Sequence, residues 1–190
     1  MIVVIDTSSL LSLVRYYLPF DQNGKLLGLI KREIINHNIM VIDEVLKECN
    51  FVSGKLVVKK IDFLADKEFL KANKIPINTE NLIPPSPTKF YNLVDNTFIT
   101  TNAKRLDSAQ FEQQKKEFLD SADARMIIYL LNQKSDNSFE NIILVTEETE
   151  GSNDMKAFEK LPAICKILDI DVKTLPELLE LYSDINISFE

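Results

Sequence analysis

The chain is poor in the residues that build soft metal sites and disulfide frameworks. Its 190 residues include two cysteines, Cys49 and Cys165, and one histidine, His37. Two thiols cannot form a disulfide framework or, alone, a thiolate zinc site. The same counts argue against zinc chemistry that depends on several His or Cys ligands. Also missing is any apolar stretch near the roughly 20 residues of a membrane helix. The first residues have no basic segment ahead of their apolar run and meet an aspartate at Asp6, so they do not read as a secretory signal. No internal repeat or low-complexity tract is present. These absences lead to the expectation of a soluble, cytoplasmic protein of a reducing compartment with no membrane partner.

Positive charge is the minority sign. There are 22 basic and 29 acidic side chains, a formal charge of -7, and 45% of residues are apolar. Length and composition fit one large domain, or a domain with an insertion, able to bury a core without staples. The acid excess argues against nonspecific nucleic-acid binding through a global positive field, although a local basic face is compatible with it. The charge is uneven. Between Lys55 and Lys74 six lysines stand against three acids, whereas from Asp169 to Glu190 six acids stand against Lys173. Both runs read as solvated helix faces. A sharper reading of the first makes Lys59, Lys60 and Lys67 a contact surface for a phosphate backbone.

What is present is a succession of short apolar strands and helical spacings. Ile2 to Ile5 is a continuous β-branched run that ends at Asp6 with Thr-Ser-Ser, a helix-start signal. Leu26, Leu27, Ile30, Ile34 and Ile35 follow a helical period, and Ile39 to Ile42 reads as a second buried strand. Asp43 is expected to cap the helix carrying Val45, Leu46, Glu48 and Cys49. Lys59 to Asn73 looks helical, Pro76 to Pro87 reads as extended, and Leu106 to Leu119 reads as a polar helix. Asp120 or Ser121 is expected to cap a strongly apolar helix. Ile142 to Val145 is a third strand, followed by an acidic loop, a helix around Leu161 to Leu168, a short strand near Val172 and a helix from Pro176. Strands alternating with helices predict an α/β protein with a parallel sheet, and the helix-rich middle predicts an inserted part between the second and third strands.

Ligands of such sheets bind beyond the carboxyl ends of the strands, where strand order reverses. Asp6, Thr7 and Ser8 follow the first strand, Asp43 and Glu44 the second, and Thr146, Glu147 and Glu148 the third. Carboxylates converging there repel one another unless a cation intervenes, and oxygen ligands without His or Cys favour Mg²⁺ or Mn²⁺. Each acid also has a plainer reading. Asp6 fits a helix N-cap. Asp43 and Glu44 suit the positive end of their helix dipole. Asp123 fits the third position of a capping pair with Asp120, and Glu147 and Glu148 fit an exposed loop. Glu48, one turn beyond Glu44, is the acid that can point toward the strand ends. His37 lies near a helix C-terminus, where its dipole interaction or simple exposure explains it. Phe90, Tyr91 and Phe98 could stack on bases, but read first as core residues.

Four segments in order resemble the PIN-domain family of metal-dependent nucleases, found among bacterial toxins of toxin–antitoxin pairs and RNA-processing enzymes. They are VVIDTSSLL (Val3 to Leu11), VIDEVLKE (Val41 to Glu48), DSADARMII (Asp120 to Ile128) and ILVTEE (Ile143 to Glu148). The segment KLPAICKILDIDV (Lys160 to Val172) is similar to the tail of one longer toxin-like branch. The resemblance implies a three-layer α/β/α fold with a central parallel sheet of about 4–5 strands, as a single domain over 1–190 with a helical insertion at about 55–118. It implies Asp6, Glu48, Asp123 and Glu148 as catalytic, metal-holding acids, with Glu148 where aspartate is more usual, and Ser8 and Thr146 as supporting residues. The implied cofactor is Mg²⁺ or Mn²⁺, and the implied reaction is hydrolysis of RNA phosphodiester bonds by water. The implied partners are single-stranded or structured RNA, an antitoxin protein, and a second copy in a homodimer. The alternatives are a PIN-like fold kept as a binding or scaffold module, and a haloacid-dehalogenase-like phosphatase. The latter wants a second aspartate two positions after the first, where this chain has Ser8.

Overall fold

The computed structural model describes residues 1–136, 141–151 and 156–182. In chain order its elements are β1 (Ile2–Ile5), α1 (Thr7–Ser12), α2 (Lys25–Ile35), β2 (Ile39–Met40), α3 (Asp43–Cys49), α4 (Leu56–Lys60) and α5 (Lys67–Ala72). There follow α6 (Pro87–Asn96), α7 (Ser108–Leu119), α8 (Ala122–Asp136), β3 (Ile142–Val145), α9 (Leu161–Ile167), β4 (Asp171–Lys173) and α10 (Leu175–Leu179). The fold is α/β with a four-stranded parallel sheet of order β2-β1-β3-β4. Among the described residues no helix is long and apolar enough to cross a membrane.

The chain divides into two compact units. The first comprises Met1–Ile77, Ile143–Glu147 and the described residues from Val172 onward; the second lies within Asn78–Ile142 and Glu148–Asp171. The segment expected as an insertion at 55–118 is helical through α4 to α7, and the division falls inside it, after Ile77.

In the first unit the sheet forms because its sequences are apolar on both faces. Val3, Val4 and Ile5 are fully buried, as are Leu144 and Val145, the pattern of inner parallel strands. β1 pairs with β2 in the register Val3 to Ile39 and Val4 to Met40. The second strand is shorter than its apolar run. Pairing with β1 ends at Met40, and Val41 to Asp43 turn to Ile77 instead: Ile77 N–H donates to Val41 O and Asp43 N–H to Ile77 O, both at 3.0 Å. α2 buries Leu26, Leu29, Ile30, Glu33 and Ile34 along one stripe, whereas Ile35 is exposed. Glu33 is a charge on the inner face. It is held there by Arg32 Nε at 2.9 Å and Asn38 Nδ2 at 2.8 Å, which offsets its desolvation. His37 takes the positive-φ turn (φ 56°) that follows α2, so its place is explained by the helix end.

The expected helix over Lys59 to Asn73 is broken. α4 ends at Lys60, and a new start at Lys67 is capped by Asp66, whose carboxylate accepts from Glu68 N–H and Phe69 N–H. Asp43 is the first residue of α3 rather than its cap. Ile42 takes the cap position without a side-chain bond, and Asp43 Oδ1 accepts Glu44 N–H at 3.1 Å.

The second unit is organised by rings and by α8, whose Met126, Ile127 and Leu130 are fully buried. Phe118 stacks on Phe158 at 4.4 Å, and Phe90 meets Phe98 edge-on at 6.2 Å. α6 begins at Pro87, a favourable first helical residue, so the proline-rich stretch ends by starting a helix.

Tyr182, in the first unit, provides a test of packing. Its hydroxyl is buried with no hydrogen-bond partner among the described residues, and burial, reinforced by Glu33 and opposed by Arg32, pushes the phenol up to about 12 from 10.0. The folded chain therefore keeps this proton where the unfolded chain has lost it. The resulting stability is whole below pH 10 and lost as pH rises toward 12. Tyr182→Phe removes an orphaned hydroxyl, so it should be neutral or stabilising at pH 7 and make the alkaline fall in stability shallower. Urea unfolding from pH 7 to 12 measures both; a loss above about 1 kcal/mol at pH 7 would contradict this account.

Candidate functional site

The carboxyl ends of β1 and β3 adjoin. Asp6 N–H donates to Val145 O at 2.9 Å. From β1 the chain moves to β2 on one side, and β3 returns on the other, so strand order reverses between these two ends. That crevice is where ligands of open parallel sheets bind.

Asp6 stands at this point and is 7% exposed. Its Oδ1 accepts Thr7 N–H at 2.6 Å, capping α1. Its Oδ2 accepts the Ser8 hydroxyl at 2.5 Å and the Thr146 hydroxyl at 2.9 Å. The cap reading of Asp6 is thus correct for one oxygen, while the other is gripped by hydroxyls from two strand ends. Ser8 Oγ and Thr146 Oγ1 lie 3.1 Å apart, and Ser8 Oγ also accepts Glu147 N–H at 3.0 Å. An ionised carboxylate offers about four acceptor directions. Three are used here, leaving about one, on Oδ1.

Glu48, on the last turn of α3, is joined to this cluster through Thr7, whose hydroxyl donates to Glu48 Oε2 at 2.7 Å. The adjacent Cys49 thiol registers both acids. Burial pushes it up to about 12, and the negative charges of Glu48 and Asp6 add to the effect. Thr7 is marked by the sequence only as a residue following the first strand, without a role, and Ser9 is not foreseen. The available signal was their place in the first turn of a helix starting at a strand end, where backbone N–H groups and hydroxyls crowd together.

The three loop acids separate by environment. Glu147 Oε1 accepts the fully buried Ser9 hydroxyl at 3.2 Å and Leu175 N–H, at the start of α10, at 2.7 Å. Its carboxylate therefore fastens two helix starts in the first unit. Glu148 and Glu150 belong to the second unit. Glu148 is exposed, and Glu150 pairs with Lys166 at 2.9 Å.

Asp123, also in the second unit, is half-buried at the second position of α8. The capping pair with Asp120 does not form. Asp120 closes α7, and Ser121 caps α8 by accepting Ala124 N–H at 3.3 Å. Asp123 lies close enough to Cys165 to add to the burial that pushes that thiol up to about 12. Lys59, Lys60 and Lys67 are exposed on two short helices of the first unit. Phe90 and Phe98 are core residues, while Tyr91 is 43% exposed.

Among the described residues, no three His, Cys, Asp or Glu side chains are grouped to hold a metal ion. The donor chemistry of the strand-end cluster nonetheless suits a hard cation. Mg²⁺ commonly takes one or two carboxylates from a protein and completes its shell with water and substrate phosphate, and Asp6 and Glu48 supply two. No family model, curated protein or solved structure matches the chain.

The neighbouring loop acids differ in a way stability measurements can read. Glu147→Ala strands the buried Ser9 hydroxyl and the Leu175 N–H, and should cost about 1–3 kcal/mol. Glu148→Ala, at an exposed position, should cost less than about 1 kcal/mol. Equal shifts in urea midpoint for the two variants would refute the fastening role of Glu147.

Proposed function

We propose that this chain is a PIN-like, Mg²⁺- or Mn²⁺-dependent endoribonuclease that hydrolyses RNA phosphodiester bonds, with Asp6 and Glu48 among its metal-holding acids. The supporting observation is the treatment of Asp6. A nearly buried carboxylate sits at the strand-order reversal, with one oxygen held by hydroxyls of Ser8 and Thr146. A helix cap alone needs one accepted N–H, so this extra grip goes beyond capping.

Within this reading the hydroxyls of Ser8 and Thr146 fix the carboxylate plane of Asp6 and so aim its remaining acceptor direction. Thr7 does the same for Glu48. A bound cation would supply the acidification of water and the neutralisation of phosphoryl charge that phosphodiester hydrolysis needs. The attacking group is water, and no protein nucleophile is required. The haloacid-dehalogenase alternative asks Asp6 to attack phosphorus with the help of a second aspartate two positions later, where this chain has Ser8.

Asp123 and Glu148 enter the proposal through the family resemblance, as further acids, and Lys59, Lys60 and Lys67 enter as phosphate contacts. The toxin role, with an antitoxin protein or a second copy of the chain as partner, rests on the same resemblance. Localisation in the cytoplasm is proposed from the sequence composition.

The test is cleavage of single-stranded RNA with Mg²⁺, with Mn²⁺ and with EDTA. Activity should require the metal. Thr146→Val should lower it about 10–100-fold, as expected when a ligand loses its orienting partner, and Asp6→Asn should lower it further. Asp123→Asn examines the second unit's acid separately. Cleavage that persists in EDTA, or full activity in both Asp6→Asn and Asp123→Asn, would sink the nuclease reading. RNA binding without cleavage under any metal would favour the scaffold module.

A further inference from the structure

The second unit contains a cavity of about 310 Å³ whose lining the strand-end reading does not use. One wall is α7, a polar helix in which only Phe118 is buried. Its rings explain what it packs on: Phe118 and Phe111 both meet Phe158, at 4.4 and 6.0 Å. A neighbouring stripe of the same helix, Glu112, Lys115, Lys116 and Leu119, follows the spacing that puts side chains on one face, and it lines the cavity with Tyr91 and Arg125.

The cations of this lining are in different states. Lys115 is paired with Asp95. The Lys116 ammonium has no ion-pair or hydrogen-bond partner among the described residues. Arg125 is fixed in place, since its Nη1 donates to the carbonyls of Thr79 and Glu80, each at 3.2 Å, while its other N–H groups make no bond among the described residues. An immobilised guanidinium with donors to spare, beside an unpaired ammonium, is well prepared for a phosphate. Tyr91 is 43% exposed, and its edge-on contact with Phe90 at 5.6 Å steadies the ring without stacking over it. Its ring can therefore carry a planar base. The carboxylates of Glu112 and Asp120 in the same lining would repel a bare anion. They suit a ligand that also brings hydroxyl donors, as a ribose does.

We propose that this cavity binds a ribonucleoside 5′-monophosphate unit, as a free nucleotide or as one residue of an RNA strand. Tyr91 stacks on the base, Glu112 accepts from the ribose hydroxyls, and Lys116 and Arg125 hold the phosphate. The volume stands at the lower end of the roughly 300–1,000 Å³ of small-ligand clefts, the scale of one nucleotide. This site holds whether or not the strand-end carboxylates cleave RNA.

The chain has no tryptophan, so Tyr91→Trp places a single reporter in the cavity. Its fluorescence is titrated with 5′-AMP in EDTA, which removes metal-dependent cleavage from the experiment. Calorimetry on the chain with Tyr91 in place provides the reference affinity. Saturable binding of 5′-AMP is expected, at least about tenfold tighter than inorganic phosphate or 2′-deoxy-AMP. Lys116→Glu, a change at an exposed position, should weaken it about tenfold or more, and Tyr91→Ala about fivefold or more. A tetra-adenylate that binds more tightly than 5′-AMP identifies the strand as the source, and one that binds no better identifies the free nucleotide. Either result supports the site. Absence of saturable 5′-AMP binding, inorganic phosphate binding as tightly as 5′-AMP, or an unchanged affinity in Lys116→Glu would overturn it.

Discussion

The grip on Asp6 is the constraint around which the first unit is arranged. A carboxylate 7% exposed must find hydrogen-bond donors or leave its position. Its donors come from both sides of the strand-order reversal. Thr7 and Ser8 belong to the helix after β1, and Thr146 follows β3. Two of the three accepted bonds are local, and the third, from Thr146, ties together chain segments 140 residues apart in sequence. The adjoining bond from Asp6 N–H to Val145 O continues the same junction into the backbone. Thr7 then extends it to α3 through Glu48, and Glu147 extends it to α10 through Leu175. β1, α1, β3, α3 and α10 are thus joined through hydroxyls and carboxylates as well as through the apolar side chains they bury.

Much of the scaffold of this junction was legible in the sequence because parallel strands and amphipathic helices follow simple periods. Ile2 to Ile5 and Ile142 to Val145 form strands at the expected limits, and the closing helix starts at Leu175, one residue before Pro176. The misses have local causes. Ile39 to Ile42 is uniformly apolar, but pairing with β1 covers only two residues before the chain turns to Ile77, a partner too distant in sequence to be inferred. Ser86 and Pro87 looked like the end of an extended stretch because proline was read as a breaker, whereas Pro87 begins α6. Glu33 lies on the buried stripe of α2 although charge predicts the outer face. Its burial depends on Asn38, beyond the helix end, which periodicity does not weigh.

The candidate site was legible in a different way. Spacing and strand ends picked out Asp6, Ser8, Glu48 and Thr146, which the fold brings together within the first unit. Ser9 and Glu147 were harder, since a serine in a helix turn and one acid among several carry no sign of their partners. Only the return of the chain to α10 gives Glu147 its second donor, Leu175 N–H. The lysine run between Lys55 and Lys74 was read as a solvated face, and Lys59, Lys60 and Lys67 are indeed exposed. Of the acids counted in the C-terminal run, Asp184 and Glu190 lie outside the described residues.

The number of carboxylates in the junction bears on how a cation would be used there. Asp6 has about one acceptor direction left after its three bonds. Glu147 spends one oxygen on Ser9 and Leu175, so it acts as a fastener. Glu48, with Oε2 steadied by Thr7, would be the second carboxylate of the proposed metal site. Two carboxylates balance one divalent charge, which leaves the remaining coordination to water and to phosphate oxygens. Such a site would hold its cation weakly alone and more firmly with an RNA phosphate in place, so the substrate itself would complete the centre. The hydroxyls orient Asp6 without adding negative charge, which under the proposed reading would ease the approach of an RNA phosphate.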